Sequence, residues 1–269
     1  PVLGSIDDVP DGAADMLFIC TPQAVNEDLL RAAAAKGVRA AFFAAAGYRE
    51  AGSDGVEAER RLVALADELG VAVAGPNGQG VVSTPAKMCA QIVAPYAPAG
   101  RIGVASQSGN FVSSFLNLAH HTGVGVSRAI AAGNAAQLGI ADYVEWFADD
   151  PETDVCLVYM ESVDQGRAMF ERLRAVAERK PVVVVKGGAS DAGARAAASH
   201  TGALASDDAV FDGMCRQAGL IRARDVEEAF EAAATIATQP LPQGNRIVVV
   251  TTVGGWGVAA VDAMADTRL

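Results

Sequence analysis

The stretch PVVVVKGGASDAGARAAASHTGALASDD, residues 181–208, joins an apolar run to a long segment of small residues. Pro181 to Val185 is apolar throughout, which predicts a buried strand. The part that follows, Lys186 to Asp208, is rich in Gly, Ala and Ser and carries too little apolar bulk to form core, so it predicts a loop. A loop of this length inside a compact α/β domain is usually functional.

His200 stands at the centre of this loop, and its imidazole is a side chain whose ordinary pKa lies near neutrality. Its neighbours Ser199, Thr201 and Gly202 are small enough to let a bulky polyanion approach the ring. The pattern indicates a histidine that accepts and passes on a phosphoryl group. The residues alone leave open the alternative of a histidine that is merely solvated or hydrogen-bonded.

Apolar runs alternate with amphipathic segments on both sides of the loop, which predicts an α/β fold with parallel strands and crossover helices. The predicted strands are residues 16–21, 38–44, 71–74, 101–105, 125–130, 155–160 and 181–185. The predicted helices are residues 26–36, 57–69, 109–121, 140–147, 165–179, 207–217 and 225–238. The Pro- and Gly-rich residues 84–100 predict a domain boundary near Gly100.

The last predicted strand, RIVVVTT at residues 246–252, follows a linker at 240–244 and precedes a Gly-rich turn. A lone strand and helix cannot bury a core. We therefore expect residues 242–269 to be the start of a truncated domain. The chain also lacks a G-x-G-x-x-G motif before its first strands, so we expect it to begin inside a domain.

Composition narrows the class of protein. With 269 residues, 51% hydrophobic and 6% aromatic, the chain can bury a core large enough for two domains. A formal net charge of −11 argues against a nucleic-acid partner. We expect no membrane span and no secretion signal, and the four well-separated cysteines predict reduced thiols in a cytoplasmic protein without a metal site.

The segment SQSGN, residues 106–110, lies where a predicted strand gives way to a helix. The first N–H groups of a helix lack partners inside the helix, and the helix dipole favours an anion there. Ser108, Gly109 and Asn110 are therefore a candidate phosphate site, with an ordinary serine cap as the alternative. A serine hydrolase is a weaker alternative, because a nucleophile elbow needs glycine at positions that Ser106 and Asn110 occupy.

Two further groups stand at predicted strand ends. Glu161 follows the strand at 155–160, where it could accept a proton from one imidazole nitrogen of His200, and a solvated acid is the alternative. The turn GPNGQG at residues 75–80 would let backbone approach a ligand closely. Thr21-Pro22 and the residues 44–47 follow two other strands of the same half.

The segment KGGASDAGARAAASHTGALASDDAVF, residues 186–211, resembles the phosphohistidine segment of the nucleoside-diphosphate-forming acyl-CoA synthetases. That superfamily includes ADP-forming acetyl-CoA synthetase and succinyl-CoA synthetase. The resemblance implies a Rossmann-like CoA-binding domain at 1–97 and a flavodoxin-like, doubly wound phosphohistidine domain at 98–241. It also implies the start of a third, flavodoxin-like domain at 242–269.

The resemblance implies an acid–CoA ligase that converts a carboxylic acid, CoA and ATP to acyl-CoA, ADP and phosphate. In such relatives an acyl phosphate forms, and His200 would carry the phosphoryl group with Glu161 as its partner. The phosphate-binding residues would be Ser108, Gly109, Asn110, Thr201 and Gly202. The CoA- and acyl-binding residues would be Thr21, Pro22, Ala46, Gly47, Asn77 and Gly78.

Gly78 stands where the family motif often has Cys, so we expect a wider acyl pocket. The resemblance further implies that ATP or ADP and Mg²⁺ are held by an ATP-grasp domain, and we find no signature of that domain in this segment. The nucleotide site would then lie on another part of the protein or on a beta-type subunit. The resemblance also implies a homo- or hetero-oligomer. A non-catalytic, regulatory CoA-binding module of an acetyltransferase fusion is the alternative. The identity of the carboxylic acid stays open.

Overall fold

The computed structural model describes residues 2–92, 95–163, 165–190, 192, 193, 195 and 207–265. The chain divides into two compact units between Thr238 and Gln239. The strands of the first unit are β1 (Met16–Ile19), β2 (Ala40–Phe43), β3 (Ala72–Ala74), β4 (Gly80–Ser83), β5 (Met88–Gln91), β6 (Ala99–Ser106), β7 (Val126–Ala131), β8 (Val155–Met160), β9 (Val182–Lys186) and β10 (Ile221–Ala223).

The described helices of the first unit are α1 (Asn26–Ala35), α2 (Ser53–Leu69), α3 (Gly109–Thr122), α4 (Ile140–Asp149), α5 (Gly166–Ala177), α6 (Asp208–Ala218) and α7 (Val226–Thr238). The second unit contains α8 (Gly254–Met264). Each strand and helix predicted between residues 16 and 238 is present, with ends that move by a few residues. The largest shift is in α2, which begins at Ser53 instead of residue 57.

The first sheet has the order β1-β2-β3 and is parallel throughout. Helices α1 and α2 cover it through a core that includes Leu30, Phe43 and Leu62, each fully buried. Because parallel strands share one direction, the residues that follow β1, β2 and β3 all lie at the same edge of this sheet. The predicted strand–helix alternation of this half is confirmed.

The second sheet has seven strands in the order β10-β9-β8-β6-β7-β4-β5. Its central part is parallel, whereas β4 runs antiparallel to both β7 and β5. Helices α4, α5 and α6 pack on one face and α3 and α7 on the other, which confirms a doubly wound α/β sheet. Along β8 the side chains alternate between the faces, with Val158 and Tyr159 in different cores.

Three strands of this sheet were not predicted, namely β4, β5 and β10. A domain boundary was predicted near Gly100, but β4 and β5 precede it and belong to the same sheet as β6 and β7, so the second sheet extends across the predicted boundary. The hairpin has short strands and a Pro-containing turn, and its β5 is only partly buried, so its apolar pattern is weak. Pairing with β7, which lies far along the chain, decides its conformation.

In the second unit, the strand predicted at residues 246–252 is not formed. Val248 is 86% exposed and Val250 is 92% exposed, and within 239–265 these residues pair with no other strand. An isolated extended segment has no neighbour to accept its ladder hydrogen bonds, so an apolar pattern alone cannot make it a strand. In the described part of the chain, no helix has the length and apolar character needed to cross a membrane.

Candidate functional site

A cavity of about 630 Å³ lies where the carboxyl ends of strands from both sheets of the first unit face each other. Its polar lining comes from the segments that follow five strands. Those residues are Arg49 and Glu50 after β2, Asn77 to Gln79 after β3, Gln107 to Asn110 after β6, Gly133 and Asn134 after β7, and Glu161 and Ser162 after β8. The cavity thus brings together the predicted residues Asn77, Gly78, Ser108, Gly109, Asn110 and Glu161.

The junction between β6 and α3 is shaped by a short local turn. The Ser106 hydroxyl accepts a hydrogen bond from the Ser108 N–H at 3.1 Å and donates one to the Ser108 carbonyl at 2.6 Å. Ser108 occupies the N-cap position of α3, but its side chain makes no capping hydrogen bond. The first N–H groups of α3 are therefore not capped by that hydroxyl, which is what an anion site at a helix start requires.

Gly109 is needed for a close approach between the two halves of the unit. A Cβ at this position would lie 2.3 Å from Cγ of Gln79. The Gln79 amide donates a hydrogen bond to Asn110 at 2.8 Å and accepts one from the Ser113 hydroxyl at 2.9 Å. Gln79 therefore fixes the turn after β3 against the first turn of α3.

Glu161 is held at its main chain by Gln107. The side-chain Oε1 of Gln107 accepts hydrogen bonds from the N–H of Glu161 at 2.6 Å and of Ser162 at 3.1 Å. Its Nε2 donates to the Ser162 carbonyl at 3.0 Å. The carboxylate itself accepts a hydrogen bond at Oε1 from the Tyr159 hydroxyl, at 3.1 Å. The residue predicted as the partner of a histidine thus has a fixed backbone and a hydrogen-bonded carboxylate.

Asn134 joins the two halves across the polar wall of the cavity. It is buried, and its Nδ2 donates to Glu50 at 2.5 Å and to Glu59 at 2.8 Å, while its Oδ1 accepts from Asn77 at 3.3 Å. Burial opposes ionisation of Glu50, but the hydrogen bonds from Asn134 and from backbone N–H groups outweigh it, so the pKa of this carboxyl is lowered. Glu50 is therefore an anion in the wall at neutral pH.

Gly78 lines the cavity, but the space beside its Cα is filled. A Cβ there would lie 2.6 Å from the Ala131 carbonyl oxygen and 2.7 Å from Cζ of Phe42. Phe42 is itself buried and stacks on Phe18. The expectation that the missing side chain widens the acyl pocket is therefore not met at the Cβ position, since backbone and the Phe42 ring occupy that room.

Thr21, Pro22, Ala46 and Gly47 are not among the described residues that line the cavity. They lie after β1 and β2 at the same sheet edge, where a Cβ on Gly47 would be 3.5 Å from Cβ of Gln23. The Thr21 hydroxyl donates to the buried Asn26, and the Gly47 N–H donates to Glu50 at 2.6 Å. Gly47 has φ +101°, which favours glycine.

His200, Thr201 and Gly202 lie outside the described residues, so their predicted roles stay predictions. The residues on either side of the loop are described. Lys186 ends β9, and its buried ammonium pairs with Asp208 at the start of α6, 3.6 Å away. Within the described ranges, no group of three or more His, Cys, Asp or Glu side chains is placed to hold a metal ion.

Sequence reasoning missed Gln79, Gln107 and Asn134, whose amides organise the cavity. Each lies within a few residues of a strand's carboxyl end, a position that favours ligand sites in open α/β sheets. That position was the available signal, but it does not reveal partners such as Glu161, which lies 54 residues from Gln107. The assembled cavity offers uncapped helix amides and a close-packed backbone turn, which suit an anionic ligand, and it places the hydrogen-bonded carboxylate of Glu161 beside them.

A family profile described as the succinyl-CoA ligase-like flavodoxin domain matches residues 99–236, more than half of the 269-residue chain. The chain belongs to this family. The predicted resemblance to the nucleoside-diphosphate-forming acyl-CoA synthetases is thereby confirmed, as is the predicted fold class.

Two curated relatives of this member of the succinyl-CoA ligase-like family are named as ligases. The alpha subunit of ADP-forming acetate–CoA ligase I from Pyrococcus furiosus is 37% identical over all of the chain, which covers 58% of that protein. ADP-forming acetate–CoA ligase I from Archaeoglobus fulgidus is 38% identical over 98% of the chain, which covers 38% of it. The chain thus spans 58% of the length of the first relative and 38% of the length of the second.

A solved structure shares the architecture of this family member. It is the dinucleotide-forming acetyl-coenzyme A synthetase 1 of Ca. Korarchaeum cryptofilum in complex with phosphate and ADP. The match has a TM-score of 0.90 at 33% identity, and it covers 98% of this chain and 56% of that one.

Proposed function

We propose that this chain is the CoA-binding and phosphohistidine part of an ADP-forming acid–CoA ligase. The complete enzyme would join a carboxylic acid to CoA and convert ATP to ADP and phosphate. The relatives named for this reaction, at 37% and 38% identity over nearly the whole chain, support it. The single structural observation that carries it is the cavity in which Glu161, the start of α3 and the Asn77–Gly78 turn face one another.

In the first step, an unprotonated nitrogen of the His200 imidazole attacks the terminal phosphorus of ATP. An N–P bond forms, the P–O bond to ADP breaks, and its electron pair leaves with ADP. The other ring nitrogen keeps its proton and donates a hydrogen bond to Glu161, whose negative charge stabilises the cationic phosphoimidazole. The start of α3, at Ser108, Gly109 and Asn110, would offset the charge of the phosphoryl oxygens through those helix amides that the Ser108 hydroxyl does not cap. Thr201 and Gly202 would contact the same group.

In the second half of the reaction, a carboxylate oxygen of the acid attacks the phosphorus. The N–P bond breaks, its electron pair returns to the ring, and an acyl phosphate forms. The CoA thiol then attacks the carbonyl carbon, the C–O bond breaks, and phosphate leaves with the thiol proton. We assign Asn77 and Gly78 to the thiol and acyl end of CoA. We assign Thr21, Pro22, Ala46 and Gly47, at the same edge of the first sheet, to the remaining part of CoA.

The nucleotide and its Mg²⁺ belong in this proposal to an ATP-grasp domain, fused or on a beta-type subunit. That a relative is named as an alpha subunit supports a partner subunit. No metal ligand is assigned to the described residues, and no step above depends on one. A cytoplasmic location with reduced thiols completes the proposal.

The test is phosphorylation of the complete enzyme. Incubation with ATP labelled at the γ-phosphate should give an acid-labile label on His200, and His200→Asn should abolish both the label and acyl-CoA formation. His120→Asn is the matched control, because this exposed histidine lies in the last turn of α3 and should leave both unchanged. Full ligase activity in His200→Asn would refute the mechanism. Calorimetric CoA binding without any label would point instead to the regulatory module.

A further inference from the structure

The hydroxyl of Tyr159 donates a hydrogen bond to the Glu161 carboxylate. Tyr159 and Glu161 are two residues apart at the end of β8, so their side chains leave the sheet on the same face. The hydroxyl donates to Oε1 of Glu161 at 3.1 Å. Burial first, and then the negative charge of Glu161, raise the pKa of this phenol, so it stays a proton donor at neutral pH.

The Tyr159 ring is itself immobilised from two sides. Phe111 of α3 stacks on it with ring centroids 3.8 Å apart and an interplanar angle of 22°. The main chain at Gly187, just after β9, passes over the hydroxyl, because a Cβ there would lie 2.3 Å from it. The same Cβ would lie 3.2 Å from Cγ of Glu161. The start of the histidine loop therefore packs directly on the Tyr159–Glu161 pair.

We propose that Tyr159 is a positioning residue that orients Glu161 for its contact with His200. A carboxylate anchored through one oxygen presents the other in a defined direction. Hydrogen bonds that orient the ligands of metal sites change activity by about 10- to 100-fold, and we expect a loss at the lower end of that range here. Gln107 restrains the main chain of Glu161, and Tyr159 restrains its carboxylate. This inference rests on the proposed function, because it concerns how Glu161, a residue of that mechanism, is held in place.

Tyr159→Phe distinguishes a positioning role of the hydroxyl from a packing role of the ring. The Tyr159 ring belongs to the core on the α3 and α7 face of the sheet, and Phe would fill the same volume there. Tyr159→Phe therefore keeps the packing and the stacking on Phe111, and it removes only the hydroxyl. The matched control is Tyr143→Phe, because the Tyr143 hydroxyl is buried and has no hydrogen-bond partner in the described structure.

The test is a double-mutant cycle on the complete enzyme, with rapid-quench measurement of the rate at which labelled ATP phosphorylates His200. Tyr159→Phe should slow this rate by about tenfold at saturating ATP, with an unchanged KM. In the Glu161→Gln background it should cause no further loss, since a positioning residue acts only through its target. Tyr143→Phe should match the unmutated enzyme, and thermal melts should show that all variants are folded.

Two results would overturn the inference. One is an unchanged rate in Tyr159→Phe, and the other is the same fold-loss in both backgrounds. If the rate of Glu161→Gln is too low to measure, Glu161→Asp is the second background, because its shorter carboxylate draws away from the hydroxyl. Failure of the proposed function has a different signature, in which His200→Asn or Glu161→Gln keeps full activity.

Discussion

Gly78→Ala tests whether the turn after β3 is packed as tightly as the structure indicates. The new Cβ would lie 2.6 Å from the Ala131 carbonyl oxygen and 2.7 Å from Cζ of Phe42. Phe42 is 1% exposed, so its ring has little room to move away. Forcing one methyl group into such a site costs about 1–3 kcal/mol of unfolding free energy. A chain of this size loses roughly 2–4 °C in melting temperature for each kcal/mol.

The assay is thermal and urea unfolding of Gly78→Ala beside a matched glycine. Gly213 lies inside α6, and a Cβ there would meet nothing within 4 Å. Gly213→Ala should therefore raise stability by about 0.5–1 kcal/mol, because alanine lowers the entropy of the unfolded chain. In the double variant with Phe42→Leu, part of the Gly78→Ala loss should be recovered relative to the sum of the single changes. Equal stability of Gly78→Ala and the unmutated protein would refute the packing argument.

Two further predictions concern charged side chains and their partners. Because the pKa of Glu50 is lowered on folding, its contribution to stability is present above the ordinary glutamate range and is lost as pH falls through the folded pKa. Glu50→Gln should flatten the urea-unfolding free energy between about pH 5 and pH 3, and an unchanged slope would contradict the assignment. Asp208→Asn should destabilise by about 3 kcal/mol, since it leaves the Lys186 ammonium, 1% exposed, without its carboxylate. Lys186→Met should lower the unfolding free energy by less, because Arg222, 2.6 Å from Asp208, still pairs with that carboxylate. Urea-unfolding curves of the two variants show which one is less stable.

The sequence was most informative where one segment carries its own signal. The apolar runs at 155–160 and 181–185 became fully buried strands of the second sheet. Glu161 and the SQSGN segment were placed at strand ends by sequence position, and the cavity includes both. These assignments needed only local polarity and the fact that parallel strands present their carboxyl ends at one edge.

Partners remote in sequence were not predictable in the same way. The β4–β5 hairpin depends on β7, and the amide of Asn134 reaches Glu59 across 75 positions of the chain. The amide of Gln107 could equally have been an ordinary solvated side chain. A hydrogen bond between distant residues leaves no period in the sequence, because it depends on which strands become neighbours.

The amino-acid sequence alone determined the α/β class, the order of most elements and the residue types at the strand ends. An apolar run indicates a buried strand or helix by its own residues, so that prediction needs no knowledge of the rest of the chain. Only the tertiary structure decided that the strand ends of two sheets enclose one cavity, that Gln107 holds the main chain of Glu161, and that Phe42 fills the space beside Gly78. Those outcomes depend on distances between segments that meet only after folding, and such distances are not encoded in any single stretch of sequence.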